Sequence, residues 1–282
     1  MGESVISKHQ KDGVIDIVRR VAADEILPRF RALQQVDVAT KSGFDDLVTE
    51  ADLAAEKAMT QAFIELLPGV KVIGEEAVAD RPEVLDQIDQ DGLVVIIDPI
   101  DGTWNYANGL STFGVLVAVV FKGQTIFGLQ YDPVNDDWIE ASVGEGCFYV
   151  RADRSPLRIR LDERVMDSRL VGMFSPFQFQ DLAVRQGVAM LQAGYARVLS
   201  LRCCCHEYRT LSQGGVDFYL SPKPRVWDHA AGILCYQEAG GVVQMLDGRE
   251  YRPTIREGVI VAARSVSVLN RVRDDFLTVL DA

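Results

Sequence analysis

Histidine is scarce in this chain: three residues in 282, at positions 9, 206 and 229, too scattered for a zinc site built on clustered imidazoles. Cysteine is nearly as sparse. The five cysteines are Cys147, Cys203, Cys204, Cys205 and Cys235, an odd number without C-x-x-C pairs, which excludes a disulfide framework and a zinc ribbon. Three adjacent thiols do not easily converge on one ion, so Cys203–Cys205 read as small residues filling a tightly packed segment. No apolar run approaches the roughly 18 residues of a membrane span. The polar start "MGESVISKHQKDG" lacks the apolar stretch of a signal peptide, so the expectation is a cytoplasmic protein without a membrane partner.

Positive charge is also in deficit. Against 41 Asp and Glu stand 29 Lys and Arg, for a net charge of −12. The imbalance is local: residues 1–150 carry 26 acidic and 11 basic side chains, and residues 151–282 carry 15 and 18. Such a surface is ill suited to nucleic acid, whose binding rests on neutralising phosphates. Clustered carboxylates suit hard divalent cations instead, and an anionic substrate then needs the cation in order to enter.

What is present is an ordinary globular composition, 48% hydrophobic and 25% charged, enough for a substantial core in one large unit or two intimate ones. Apolar residues at helical spacing from Val14 to Ala22 predict a first helix that Pro28 kinks or ends. "TEADLAAEKAMTQAFIELLPG" predicts a second, stopped by Pro68-Gly69. "VKVIG" and "GLVVIID" are short strands whose ends carry carboxylates, and the runs between Ser111 and Val150 read as an antiparallel meander. After about residue 151 strands near 168–172, 216–220, 242–245 and 258–262 alternate with helices near 180–193, 203–212, 228–239 and 265–280. The expected parts are therefore 1–150, α+β and carrying most metal ligands, and 151–282, α/β and carrying Asp228 and the substrate-side segments, joined by a seam rather than a linker.

Acidic residues stand at element ends: Asp52, Glu75, Asp98 with Asp101, and Asp228. Each has a plain structural reading. "TEAD" has the form of a helix capping box, "DPID" suits a type I turn, Asp228 in "WDHAAG" suits an N-cap, Glu75 and Glu76 suit a solvated pair, and His229 reads as facing a neighbour rather than a metal. Taken together, strand-end and helix-start carboxylates can converge on one crevice and supply oxygen ligands to Mg²⁺. Gly102 and Thr103 follow the last aspartate of "DPID", where backbone N–H groups at a helix start can hold an anion. Cations on one side and N–H donors on the other describe a phosphate site, in which a water is activated and a leaving oxygen stabilised.

Four segments, "DLVTEAD" 46–52, "GEE" 74–76, "DPIDGTWNY" 98–106 and "WDHAAGILCYQEAGG" 227–241, resemble in order and interval the lithium-sensitive, Mg²⁺-dependent inositol monophosphatase family. The resemblance implies a layered αβαβα sandwich, commonly homodimeric. It implies that Glu75, Asp98 and the Ile100 carbonyl hold one Mg²⁺, that Asp98, Asp101 and Asp228 hold a second, and that Glu75 helps with a weaker third or its water. Thr103 and Asp52 would orient or deprotonate the attacking water, and the Gly102 and Thr103 N–H groups would take phosphate oxygens. Lys41 matches a basic position near the metals, or is an ordinary solvated lysine. Lithium would inhibit by occupying a Mg²⁺ position.

On the substrate side the chain departs from the family pattern. Ser221 stands where inositol-hydrolysing relatives have a glutamate, and Arg202-Cys203-Cys204-Cys205 replaces a small-residue segment. Arg202 either meets a second anionic group of the substrate or pairs with a nearby acid. The expected substrate is a small phosphorylated metabolite: inositol 1-phosphate by default, with fructose 1,6-bisphosphate, histidinol phosphate and 3′-phosphoadenosine 5′-phosphate as alternatives. Two other classes are weighed. An aspartyl-phosphate enzyme of the haloacid-dehalogenase type would need Asp-x-Asp, whereas the aspartates here are three apart with proline between. A non-catalytic cation-binding or regulatory module would keep the fold and lose turnover.

Overall fold

The computed structural model describes residues 5–33, 37–40, 47–162 and 170–280. The chain opens with α1 (Lys8–Val21), capped by Ser7 and Gln10 in a reciprocal capping box. Helix α1 passes into a wider π turn over Ala22–Ile26 and a 3-10 turn over Leu27–Arg29 that contains Pro28, whose missing N–H ends the regular ladder. The Ile26 carbonyl is satisfied by the Tyr106 hydroxyl at 2.7 Å. Strands β1 (Val38–Thr40) and β2 (Leu47–Thr49) make a small antiparallel ribbon that leads into α2 (Glu50–Leu66).

Next come β3 (Lys71–Gly74), α3 (Glu75–Asp80), β4 (Leu93–Asp101) and the short α4 (Thr103–Ala107), then the meander β5 (Gly114–Phe121), β6 (Gln124–Asp132), β7 (Asp137–Ser142), β8 (Gly146–Arg151) and β9 (Leu157–Ile159). Among the described residues these form a seven-stranded sheet in the order β3-β4-β5-β6-β7-β8-β9, with β3 and β4 parallel and the rest antiparallel. Beyond it lie β10 (Val171–Met173), α5 (Leu182–Leu191), β11 (Arg197–Leu199), α6 (Cys204–Ser212), β12 (Phe218–Ser221), α7 (Val226–Glu238), β13 (Val242–Met245), β14 (Ile260–Ala263) and α8 (Val266–Leu280). Among the described residues their strands form a five-stranded mixed sheet, β11-β10-β12-β14-β13.

Both faces of the larger sheet are covered, which explains why "LVVII" is a continuous apolar run rather than an alternating one. Val95 and Ile97 face the core made with Val18, Met59 and Phe63 of α1 and α2. Val94 and Ile96 point the other way, with Leu116 and Ala118, toward Cys205, Ala230 and Ala231 of α6 and α7. The middle helices in turn meet the smaller sheet through Tyr208, Ile233 and Tyr236 against Tyr219, Ile260 and Ala262. On its far face Phe218, Val261 and Ala263 pack with Val188 of α5 and Phe276 of α8. The layers therefore run α, β, α, β, α, the expected sandwich. A buried ion pair between Arg209 and Asp137, with Arg209 also donating to the Gln130 carbonyl at 2.8 Å, pins α6 to the larger sheet.

Candidate active site

Strand β4 does not stop at Asp98. It continues through Pro99 and Ile100 to Asp101, with Asp98 opposite Leu116 and Asp101 opposite Gly114. Three steps along one strand therefore match two along the other, a bulge at the proline, which has no N–H to give the ladder. This corrects the type I turn expected of "DPID". The extra residue matters because side chains three apart on a regular strand face opposite sides. The bulge turns Asp98 and Asp101 to the same side, toward α6 and α7.

Four elements meet there. Glu75 begins α3, Asp98 and Asp101 end β4, Asp228 lies in the first turn of α7, and Asp52 lies in the first turn of α2. Asp228 is three residues into its helix and not its N-cap, which is Arg225. Glu75, Asp98 and Asp228 offer carboxylate oxygens that all lie within 4.8 Å of one another. Asp98 Oδ1 is buried with no hydrogen-bond partner among the described residues, an arrangement that costs free energy unless a cation takes the place of the missing donor. Burial, then the charges of Glu75, Asp101, Asp228 and Asp52, push the Asp98 carboxyl well above the ordinary carboxylate value. Asp228 is raised to about 8, by burial first, with Arg225 opposing and Glu75 and Asp101 adding. An all-oxygen donor set of crowded carboxylates fits a hard divalent cation of the Mg²⁺ kind.

Asp101 is held differently. Its carboxylate accepts the backbone N–H of Cys205, and the Cys203 thiol lies 3.2 Å from Oδ2. Asp101 thus sits at the N-terminus of α6, where the helix dipole favours its ionised form. Burial still raises it to about 7, with the Cys205 N–H and the Cys203 thiol pulling the other way. Cys203 and Cys205 are buried and Cys204 half-buried; burial drives all three thiols upward, away from the thiolate that redox chemistry needs.

Thr103 Oγ1 sits 3.3 Å from Asp52 Oδ1 and 3.0 Å from the Ile100 carbonyl oxygen. The other Asp52 oxygen, Oδ2, accepts the Thr49 N–H at 2.8 Å and the Thr49 hydroxyl at 2.5 Å. The capping box is therefore real, and it occupies only one carboxylate oxygen; the other faces Thr103. Gly102, at φ +86°, caps α4. A Cβ there would come to 3.0 Å from the Thr112 carbonyl and 3.1 Å from Cys203 Cβ, so the turn needs glycine for both its conformation and its space.

On the substrate side Arg202, exposed and at φ +53°, lays its guanidinium over the Trp104 ring at 4.3 Å. Cys203 is turned inward to Asp101. Ser221 is buried, its hydroxyl accepting the Lys223 N–H at 3.3 Å. His229 faces neighbours, with Tyr208 Oη at 3.0 Å from Nδ1 and the Lys223 carbonyl at 2.9 Å from Nε2. Lys41 and Asp46 lie outside the described residues.

Three supporting residues escaped the sequence reading. Glu56 accepts the N–H groups of Glu76 and Ala77 at 2.8 and 2.9 Å, fixing the start of α3 and with it Glu75. It stands one helical turn after Asp52, the spacing that puts both on one face, and that was the available signal. Asn105 Nδ2 donates to the carbonyls of Thr112 and Leu201, both at 2.8 Å. Buried Glu207 accepts the Leu201 N–H at 2.8 Å and so shapes the loop before α6. Asn105 stands within "DPIDGTWNY", but nothing local in the sequence marks its role, or Glu207 at all.

The model of the inositol monophosphatase family matches residues 11–276. The chain belongs to that family. As a member of the inositol monophosphatase family it is a phosphoric monoester hydrolase. The inositol-1-monophosphatase of Bacillus subtilis is 28% identical, covering 86% of this chain and 88% of that relative. The fructose-1,6-bisphosphatase/inositol-1-monophosphatase of Thermotoga maritima is 28% identical over 76% of this chain and 77% of its own. A protein named Nus factor SuhB from Haemophilus influenzae is 32% identical over 83% and 85%. Among solved structures, a Thermotoga maritima IMPase superposes with a TM-score of 0.80 over 97% of this chain and 98% of that one, at 23% identity, which establishes the shared family fold.

Proposed function

We propose that this hydrolase is a Mg²⁺-dependent phosphomonoesterase acting on a small polyol or sugar-type phosphate through an activated water, with inositol 1-phosphate as the default substrate. The observation that carries this is the convergence of Glu75, Asp98 and Asp228 around an unpartnered buried oxygen, beside the Asp52–Thr103 pair. Glu75, Asp98, Asp101, Asp228 and the Ile100 carbonyl would hold two or three cations, all but Asp228 supplied by the first 150 residues. Bound there, the cations supply the positive charge that neutralises a phosphate ester and its departing oxygen.

The protein's own groups do the rest. Asp52 is fixed through Oδ2 by Thr49, which leaves Oδ1 to accept the Thr103 hydroxyl proton. Thr103 Oγ1 then has lone pairs free to orient a water and draw on its proton. The N–H groups of Gly102 and Thr103 would take phosphate oxygens. A module that only bound cations would have no use for the Asp52–Thr103 pair, which supports catalysis over a purely regulatory role.

The same reading includes inhibition by lithium, a cytoplasmic location and a homodimer, with no nucleic-acid or membrane partner. Arg202 beside the site supports a substrate with a second anionic group as the alternative to inositol 1-phosphate. The test is phosphate release, with and without Mg²⁺, from inositol 1-phosphate, fructose 1,6-bisphosphate, histidinol phosphate and 3′-phosphoadenosine 5′-phosphate. Turnover of one of them only with Mg²⁺ supports the proposal; turnover undiminished after metal removal by a chelator overturns it.

A further inference from the structure

Asp228 also belongs to a second set of donors. Cys204, Asp228 and His229 offer one sulfur, one oxygen and one nitrogen that all lie within 4.8 Å of one another. Cys204 begins α6 and the other two lie in the first turns of α7, so two packed helices hold the set. The Cys204 Sγ has the Tyr219 hydroxyl at 3.4 Å. The His229 ring is walled by Tyr208 and Tyr219, with ring centroids at 5.7 and 6.0 Å, and each of its nitrogens has a polar partner, Tyr208 on one side and the Lys223 carbonyl on the other.

We propose that Cys204, Asp228 and His229 form a second cation site, selective for a thiophilic divalent ion of the Zn²⁺ class, which shares Asp228 with the hard-cation cluster and so competes with it. Three lines of chemistry lead there. A sulfur, an imidazole nitrogen and a carboxylate oxygen make a donor set that Zn²⁺ accepts in tetrahedral geometry, with a fourth position for water, whereas Mg²⁺ demands oxygen. One thiolate and one carboxylate balance a divalent ion, so the loaded site adds no net charge to a buried place. A ligating imidazole is held by a hydrogen bond on its other nitrogen; here one nitrogen takes the ion, giving up its bond, and the other keeps the ring in place. Binding forms a sulfur–metal bond as the Cys204 S–H bond breaks, and the proton leaves to solvent. The separation of up to 4.8 Å must close by about 1 Å, within reach of side-chain rotation, to bring three ligands to a tetrahedral ion.

Because Asp228 can serve only one cluster well, the consequence for catalysis rests on the function proposed above: Zn²⁺ at this site weakens the Mg²⁺ cluster and inhibits turnover. Binding itself does not depend on that function.

The test uses the full chain, stripped of metal, as wild type, C204A, C204S and the control C147A. Co²⁺ is added and the thiolate-to-metal charge-transfer absorption recorded; Zn²⁺ affinity is then measured by competition with a chromogenic chelator, with and without saturating Mg²⁺. The proposal expects the band in wild type and C147A and its loss in C204A and C204S, Zn²⁺ affinity lower by about 100-fold or more in the two Cys204 variants, and weaker Zn²⁺ binding in excess Mg²⁺. A band that persists without the Cys204 thiol, or equal Zn²⁺ affinity in all four proteins, overturns the site. Zn²⁺ affinity indifferent to Mg²⁺ overturns the sharing of Asp228. A Cys204-dependent band in a protein that hydrolyses none of the four phosphates upholds the site while the phosphatase reading fails.

Discussion

Thr103 Oγ1 reaches to 3.3 Å from Asp52 Oδ1 across 51 residues of sequence. The contact is made because α2 follows β2 and α4 follows the β4 bulge, and α4 packs against β2. Thr49 holds one oxygen of the carboxylate and Thr103 meets the other, so on the proposed mechanism Asp52 would serve both the fold and the chemistry. Thr103→Val should therefore lower kcat by about 100- to 10,000-fold with little change in melting temperature. Asp52→Asn should lower kcat similarly and also cost about 1 kcal/mol through the weakened cap. Steady-state kinetics with thermal melts separate the two, and kcat within threefold of wild type in Thr103→Val would remove the hydroxyl from the mechanism.

Asp98 carries a buried oxygen with no hydrogen-bond partner among the described residues and has four acidic neighbours. Asp98→Asn is predicted to lower Mg²⁺-supported turnover by more than about 100-fold. In the metal-free protein at a pH above about 8, where the cluster is driven to ionise, the same change should raise the melting temperature, because it removes a carboxyl whose ionisation burial and four acidic neighbours oppose. A metal-free melt that drops would contradict this account of the cluster.

The raised carboxyls set a pH dependence of stability. Asp101 and Asp228 move from an ordinary value of 3.8 to about 7 and about 8, so the folded protein holds protons that the unfolded chain has released. Where the folded state binds more protons, stability falls as pH rises. Metal-free protein should accordingly lose stability between about pH 4 and pH 8, and added Mg²⁺, which favours the ionised carboxylates, should stabilise more at pH 8 than at pH 5.5. Denaturant midpoints at the two pH values, with and without Mg²⁺, check the sign.

Glu56 and Gly74 form a further testable pair. A Cβ on Gly74 would fall 2.1 Å from the Glu56 carboxyl carbon, displacing the group that caps α3. Gly74→Ala should raise the Mg²⁺ concentration needed for half-maximal activity by about 10-fold, the cost typical of a disturbed support behind a ligand. Activity as a function of Mg²⁺ reads this directly; an unchanged Mg²⁺ requirement would mean that Glu75 needs no such support.

Arg202 stacks on Trp104 rather than lying free. If it also meets a second anionic group, Arg202→Ala should raise KM about 10-fold for a bisphosphate while leaving inositol 1-phosphate within a factor of two. Equal effects on both would assign the arginine to packing alone.

The sequence disclosed the layered fold because its signals were periodic and local: helical spacing from Val14, the two-sided "LVVII" strand, and the glycine-punctuated meander. It disclosed the acidic cluster through motif order. It missed the bulge, because Pro99 between two aspartates reads equally as a turn when the partner strand is unknown. It missed β11, only three residues long and half-buried. The roles of Asn105, although it stands in "DPIDGTWNY", and of Glu207 were missed for another reason: each acts on backbone groups brought near by tertiary packing, and no pattern along the chain marks such a meeting.

Asn105 offers one amide nitrogen to two carbonyls, Thr112 after the catalytic turn and Leu201 before Arg202. That single clasp means that the segment proposed to break the ester and the loop proposed to meet the alcohol are not independent modules. A lineage drifting toward a new substrate through the 201–203 loop would pull on the backbone beside Gly102 as it did so. Changes in selectivity should thus arrive together with changes in rate, unless they begin at Ser221, at the end of β12, which this amide does not bond.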